Sequence, residues 1–401
     1  MTAPGDVTDR DRRSAAARRS ANGGRPAALE APHRRLEAGS RRLERTSVRA
    51  YRATAWLLSH VPPRPAWTLV GLFSQASYLA WPQRRHWIDS NFGHVLGRDP
   101  GHRSVRRLAL RAYSHYARYL VELMRLPSRS PEVLADLVEP EGLADLERIW
   151  RESNGVILAV GHVGNNEACA AGVASRGWPI SVVADDSSFP EMFELFRQLR
   201  ESYGVSVIPW RNLRKVYEVL RRKELLALLV DWGYRADGIP VRLFDAWTTL
   251  PAGPASLAAK TGATILPVVI RRTEVGRFRV EFETPILVKG SSPAELQQAT
   301  QAMAGALQRT IAAAPDQWYS FKPMWPETAE EGAELAARAA AMLADTGSAG
   351  ARKRRGSPQV RARSAAGAQA GSAPTAGSAD ARKAPSEEAP AVANDAEAVP
   401  G

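Results

Sequence analysis

From residue 154 onward, short apolar runs alternate with amphipathic stretches of about ten residues, and this rhythm constrains the fold more than any other feature of the chain. Residues 155–160, 180–184, 205–208, 225–230, 239–244 and 264–270 read as strands. Helical periodicity fills 166–176, 190–203, 211–223, 253–262 and 293–313. A strand, a helix and another strand in succession make a crossover between parallel strands. The pattern therefore predicts an α/β fold with a mixed, mostly parallel central sheet flanked by helices. Residues 277–286 alternate and follow 264–270 too closely for a crossover. That pair is expected to form a hairpin, which is what makes the sheet mixed.

Composition sets the limits of the folded part. Residues 1–49 hold twelve Arg and six acidic residues with no aromatic side chain, and read as a disordered basic arm. Residues 345–401 are rich in Ala, Gly, Ser and Pro and read as a disordered low-complexity tail. Between them, 50–127 is expected to be a helical part, 128–326 the α/β domain and 327–344 a C-terminal helix, with 50–326 one folded unit. A single cysteine, Cys169, excludes an internal disulfide framework and a multi-cysteine metal site. No apolar core of a secretory signal is seen in the first fifty residues. The most apolar early run, 66–81, is broken by polar residues and falls short of the ~20 residues needed to span a bilayer.

The net charge of +12 points to an anionic partner. It is unevenly placed: residues 1–125 carry +14, 126–344 carry −4 and 345–401 carry +2. Residues 103–125 form an amphipathic helix, with Val105, Leu108, Ala109, Ala112, Tyr116, Tyr119, Leu120 and Leu123 recurring every three or four positions. Its arginines are either a solvated helix face or a face held against anionic headgroups. A basic nucleic-acid-binding protein is the rival of another class, but no zinc finger or helix-turn-helix supports it, and no nucleic acid is expected as a partner.

In parallel sheets chemistry gathers beyond the carboxyl ends of the strands. The first strand ends in Gly161-His162-Val163-Gly164-Asn165-Asn166-Glu167. The spacing puts His162 in a loop and Glu167 in the first turn of the next helix. There the carboxylate can turn back to one ring nitrogen and leave the other free as a base. The same residues also fit a plain loop histidine and a glutamate placed against the helix dipole. Backbone N–H groups of 163–166 could stabilise an oxyanion. No Ser or Cys stands in a nucleophile context, which favours direct attack by a substrate hydroxyl.

These residues resemble the His-x4-Asp/Glu signature of glycerolipid-type acyltransferases, and most of all the bacterial lipid A biosynthesis (lauroyl/myristoyl) acyltransferase branch. Residues 116–127, 250–263 and Pro315-Asp316-Gln317-Trp318 agree with that branch, and the resemblance covers about 50–326. Within it, the Leu-Pro-Ala-Gly-Pro-Ala stretch at 250–255 and the Arg-rich composition look most like actinobacterial phosphatidylinositol mannoside acyltransferases. One departure is Asn166, where the family usually has Trp. The resemblance implies transfer of a long acyl chain from acyl-CoA, as donor substrate, to a sugar hydroxyl of a phosphatidylinositol mannoside. It implies neither metal nor cofactor, and a place at the cytoplasmic face of the plasma membrane. In that picture His162 deprotonates the hydroxyl and Glu167 orients His162. A lipid A-type late acyltransferase is the rival inside the family.

Other candidates surround the motif. Gly164 and Asn165 are expected to contact substrate. Arg200 resembles a family arginine that could bind acceptor phosphate or CoA, with Arg197 competing for the position. Asp185 and Asp231 end two strands and could bind acceptor hydroxyls or merely cap loops. Arg242, Phe244, Gly253, Pro254, Trp210 and Trp232 are expected near the same cleft, with packing the plainer role for the tryptophans.

Overall fold

A computed structural model describes residues 27–139, 143–186, 189–274 and 276–346, with side chains from Glu44 onward. Four helices open it: α1 (Ala27–His60), α2 (Pro63–Ala80), α3 (Pro82–Leu96) and α4 (Arg103–Arg125). Proline at the first position starts α2 and α3, where its missing N–H costs nothing. Gly97, with φ 58°, ends α3 in the left-handed conformation. Of the apolar stripe of α4, Val105, Leu108, Ala109, Ala112 and Leu123 are buried and joined by Tyr113, Ala117 and Val121, while Tyr116, Tyr119 and Leu120 are half-buried. Ser74 of α2 donates to the Tyr113 carbonyl at 2.9 Å, fixing α2 along α4.

The basic arm expected over 1–49 overlaps α1, which begins at Ala27. Ala, Arg, Leu and Glu are strong helix formers, so a composition too poor to build a core is still compatible with a helix. Residues 1–26 and 347–401, which contain the rest of the arm and nearly all of the tail, lie outside the described residues.

After the short α5 (Pro131–Ala135) and α6 (Leu143–Glu152) the alternation begins. It runs β1 (Val156–Val160), α7 (Asn166–Ala174), β2 (Ile180–Ala184), α8 (Pro190–Ser202), β3 (Ser206–Pro209), α9 (Leu213–Arg221) and β4 (Leu225–Leu229). Then come β5 (Ile239–Leu243), β6 (Ala246–Leu250), α10 (Gly253–Thr261), β7 (Thr264–Glu274), β8 (Arg277–Phe282), α11 (Pro293–Ala313) and α12 (Ala329–Ala344). The main sheet has six strands in the order β3-β2-β4-β1-β7-β8. Five are parallel, and β8 pairs antiparallel with β7 as the expected hairpin. Every residue of β1 is buried, as a central strand covered on both faces requires. Apolar clusters lie on both faces of the sheet.

One expected strand falls elsewhere. Residues 239–244 do not join the main sheet; β5 forms a separate two-stranded sheet with β6. Their two-residue turn, Phe244-Asp245, has φ of 47° and 60°. That conformation normally calls for Asn or Gly, so the turn carries no sequence signal and β6 went unforeseen. Among the described residues, no helix is long and apolar enough to cross a membrane.

Candidate active site

Strand order brings the central groups together. Because β1 and β4 are neighbours with Val160 opposite Leu229, continuing the register past their ends sets His162 beside Asp231. Asp231 Oδ1 lies 2.6 Å from His162 Nδ1. Its Oδ2 accepts the His162 backbone N–H at 2.9 Å and the Trp318 indole N–H at 2.9 Å. The Asp231 side chain is fully buried. Burial works to raise its pKa, but the positive imidazole and the N–H donors prevail and hold the carboxyl below its ordinary value. An ionised Asp231 requires the proton on Nδ1 and leaves Nε2 as the acceptor. Burial also opposes charging His162, yet the Asp231 charge and hydrogen bond outweigh it, so His162 titrates above the usual histidine value.

This corrects the expected partnership. Glu167 does not contact His162; it turns to α8, where Arg200 Nε lies 3.1 Å from both carboxylate oxygens and Nη2 also donates. Tyr203 adds its hydroxyl at 3.1 Å. Glu167 sits in the first turn of α7, and that helix leads away from the imidazole, so five residues of spacing do not close the pair. Arg200 is thereby an internal ion-pair partner rather than a free phosphate site. Burial acts against its charge, but Glu167 more than compensates and raises its pKa. Arg197 pairs instead with Glu194 and Glu201 along its own helix.

The motif backbone is held by the segment that carries Trp318. Tyr319 N–H donates to the His162 carbonyl at 2.8 Å, and Gly164 N–H donates to the Gln317 carbonyl at 3.0 Å. Val163 N–H is taken by the Gly161 carbonyl. The amides of 163 and 164, two of the four expected to face an oxyanion, are therefore engaged internally. Gly164 has φ 71°, and a Cβ there would lie 2.8 Å from the Ile270 carbonyl, so only glycine fits. Asn165 is buried as the N-cap of α7: its oxygen accepts from Ala168 N–H at 2.9 Å and its amide donates to Glu122 at 2.8 Å. Arg272, itself buried, completes that cluster by pairing with Glu122. Asn165 thus braces the motif instead of meeting substrate.

Two cavities adjoin at Asn166, which lines both. One, of about 260 Å³, holds His162, Gly164 and Asp231 with Tyr116, Tyr119, Trp232, Tyr319 and Lys322 around them. The other, of about 110 Å³, lies on the sheet face beside α7 and is walled by Leu158, Val160, Val182, Leu229, Ile270 and Phe282, with Glu167 and Arg200 also in its wall. Cys169 lines it too, but burial pushes its thiol up and so disfavours a thiolate.

Of the remaining candidates, only Trp232 enters either cavity. Asp185 is exposed at the end of β2, Trp210 is half exposed against Arg211, and Arg242 lies on β5 beside Asp245. Phe244 occupies the β5–β6 turn, and Gly253 and Pro254 begin α10. Sequence reasoning missed Tyr203, Tyr319 and Lys322. Trp318 had a signal in the closing Pro-Asp-Gln-Trp stretch but no assigned role. Among the described residues, no group of three or more His, Cys, Asp and Glu side chains is placed to hold a metal ion.

A phosphatidylinositol mannoside acyltransferase of Mycolicibacterium smegmatis is 28% identical over 286 residues, covering 68% of this chain and 90% of the relative. A phosphatidylinositol mannoside acyltransferase of Mycobacterium tuberculosis strain CDC 1551 is 29% identical over 258 residues, covering 62% of this chain and 80% of the relative. The family model described as bacterial lipid A biosynthesis acyltransferase matches residues 39–327, so this chain belongs to that family of acyltransferases.

Proposed function

We propose that the protein transfers a long acyl chain from acyl-CoA to a sugar hydroxyl of a phosphatidylinositol mannoside. The observation that carries this reading is the meeting of an apolar cavity with a polar, histidine-bearing one at Asn166. The apolar cavity suits the first few carbons of an acyl chain, and in this reading the thioester carbonyl lies near Asn166 and the acceptor hydroxyl near His162. His162 Nε2 takes the hydroxyl proton while Asp231 stabilises the imidazolium. The alkoxide attacks the carbonyl, a C–O bond forms, and the C–S bond breaks with the electron pair leaving on sulfur. The departing thiolate receives the proton from His162. Aromatic walls of Tyr116, Tyr119, Tyr319 and Trp232 suit a sugar ring, presenting a flat face with polar edges. The acceptor class is supported by the names of the mycobacterial relatives.

The same reading puts the enzyme on the cytoplasmic face of the plasma membrane as a peripheral protein. On α2, Leu69, Leu72, Phe73 and Leu79 are exposed, as are Trp56 and Leu57 of α1. Arg84 stacks over the exposed Trp81, 4.6 Å from its ring centroid. Residues 50–83 hold no acidic side chain. Apolar and aromatic side chains edged by arginine fit the interface of an anionic bilayer.

The test supplies purified protein with radiolabelled long-chain acyl-CoA and either mannosylated phosphatidylinositol or a lipid A precursor. Label is expected in the mannosylated lipid, and His162→Ala nearly abolishes it. Label in the lipid A precursor alone would overturn the acceptor, and undiminished transfer by His162→Ala would remove the base.

A further inference from the structure

The Lys322 ammonium lies 4.6 Å from the centroid of the Trp232 ring, and Trp232 meets His162 edge-on with centroids 6.1 Å apart. All three side chains line the same cavity. Lys322 is exposed, and among the described residues it forms no ion pair. The cavity's carboxylate, Asp231, is already engaged by three N–H groups. Lys322 is therefore the one uncompensated permanent charge among the described residues lining that cavity.

Its backbone is fixed while its head is free. The Lys322 carbonyl accepts from the Asn91 amide at 2.7 Å, and the next carbonyl, of Pro323, accepts from Tyr234 N–H at 2.8 Å. Gly233, with φ 102°, packs so closely that a Cβ there would lie 3.1 Å from Lys322 Cβ. The aromatic face offers the ammonium a resting place that is weak beside a real anion. Its charge also has a cost for the chemistry. A cation at this distance disfavours the imidazolium that His162 must become. An anion arriving on Lys322 cancels that penalty when substrate is bound.

We propose that Lys322 is a phosphate-recognition residue, its ammonium leaving the Trp232 face to bind a phosphate oxygen of a substrate whose reacting group sits at His162. This rests on the acyl-transfer reading, in which both substrates carry phosphate: the acceptor a phosphodiester, the donor the phosphates of CoA.

The experiment compares Lys322→Gln and Lys322→Arg with the wild type on four substrates. Mannosylated phosphatidylinositol is paired with phosphate-free mannosylated diacylglycerol, and acyl-CoA with acyl-pantetheine. Lys322→Gln is expected to raise KM about tenfold for one phosphate-bearing substrate, with kcat held and no rise for its phosphate-free counterpart. Which pair shows the difference identifies the source of the phosphate, and Lys322→Arg restores most of the loss. An equal rise for both members of each pair, or no rise at all, overturns the assignment. Equilibrium binding of CoA and of glycerophosphoinositol, followed by tryptophan fluorescence with Trp232→Phe as control, is measured alongside. If the wild type transfers to no mannosylated lipid, the acyl-transfer reading fails, and this binding still decides on Lys322. An affinity about tenfold weaker in Lys322→Gln for one of the two supports the assignment; equal affinities overturn it.

Discussion

Replacing Asp231 with Asn changes one atom and should silence the enzyme through hydrogen-bond bookkeeping alone. In the native site Oδ2 receives two N–H donors, from the His162 backbone and Trp318, and Oδ1 receives the imidazole Nδ1–H. The amide of Asp231→Asn has one oxygen for these three donors. Two of them converge on the Oδ2 position, so the amide oxygen takes that place and its NH2 faces Nδ1. Nδ1 must then accept, which moves the ring proton to Nε2 and removes the lone pair that takes the substrate proton. Loss of a general base held in the right tautomer costs on the order of 10³–10⁴ in kcat, or ~4–5.5 kcal/mol of transition-state stabilisation. The pH profile carries the sign. Asp231 raises the His162 pKa, and the wild-type rate should climb with pH through a limb above the ordinary histidine value. Without the carboxylate charge the imidazolium is less favoured, so the residual activity of Asp231→Asn should have its limb at lower pH. The assay is radiolabelled acyl transfer over pH 5–9, roughly two units either side of neutrality, with thermal unfolding to confirm the fold. A kcat within tenfold of the wild type with an unmoved limb would refute the roles given to both residues.

Glu167→Gln leaves the Arg200 guanidinium buried without a counterion, and should lower unfolding stability by about 3 kcal/mol in urea titration. Wild-type stability in that variant would show that the pair is not structural, and Arg197→Ala on the surface of α8 should leave the midpoint where it is. The pair Leu69→Asp and Phe73→Asp should weaken sedimentation with anionic vesicles by tenfold or more, since burying each such side chain is worth ~1.5–3 kcal/mol. The same double variant should melt like the wild type, because both side chains already face solvent.

Strands that carry the site could be read from sequence because each is a compact apolar run closed by turn residues. The β5–β6 hairpin could not, since Phe244 and Asp245 adopt positive φ without Gly or Asn to announce it. For the site, His162 and Glu167 were legible as a local spacing, and Asp231 as a strand end. Their pairing was not. It depends on β4 lying between β2 and β1 in the sheet, a matter of strand order that no single strand records. A carboxylate five residues away looked the natural partner, yet the register supplies one from the neighbouring strand. Asn165 and Glu122 were equally opaque, because polar residues that brace a buried turn look the same in sequence as residues that meet a ligand.

The strap formed by Gln317, Trp318 and Tyr319 bears on the order of events during synthesis. A nascent chain exposes the whole His-x4-Glu motif long before residue 318 leaves the ribosome. Until then Asp231 lacks its indole donor and the His162 carbonyl lacks the Tyr319 N–H. Contacts of such long sequence separation form late in folding. In the proposed reading the site at His162 is therefore incomplete while the chain is being made, and is completed only as the closing segment docks.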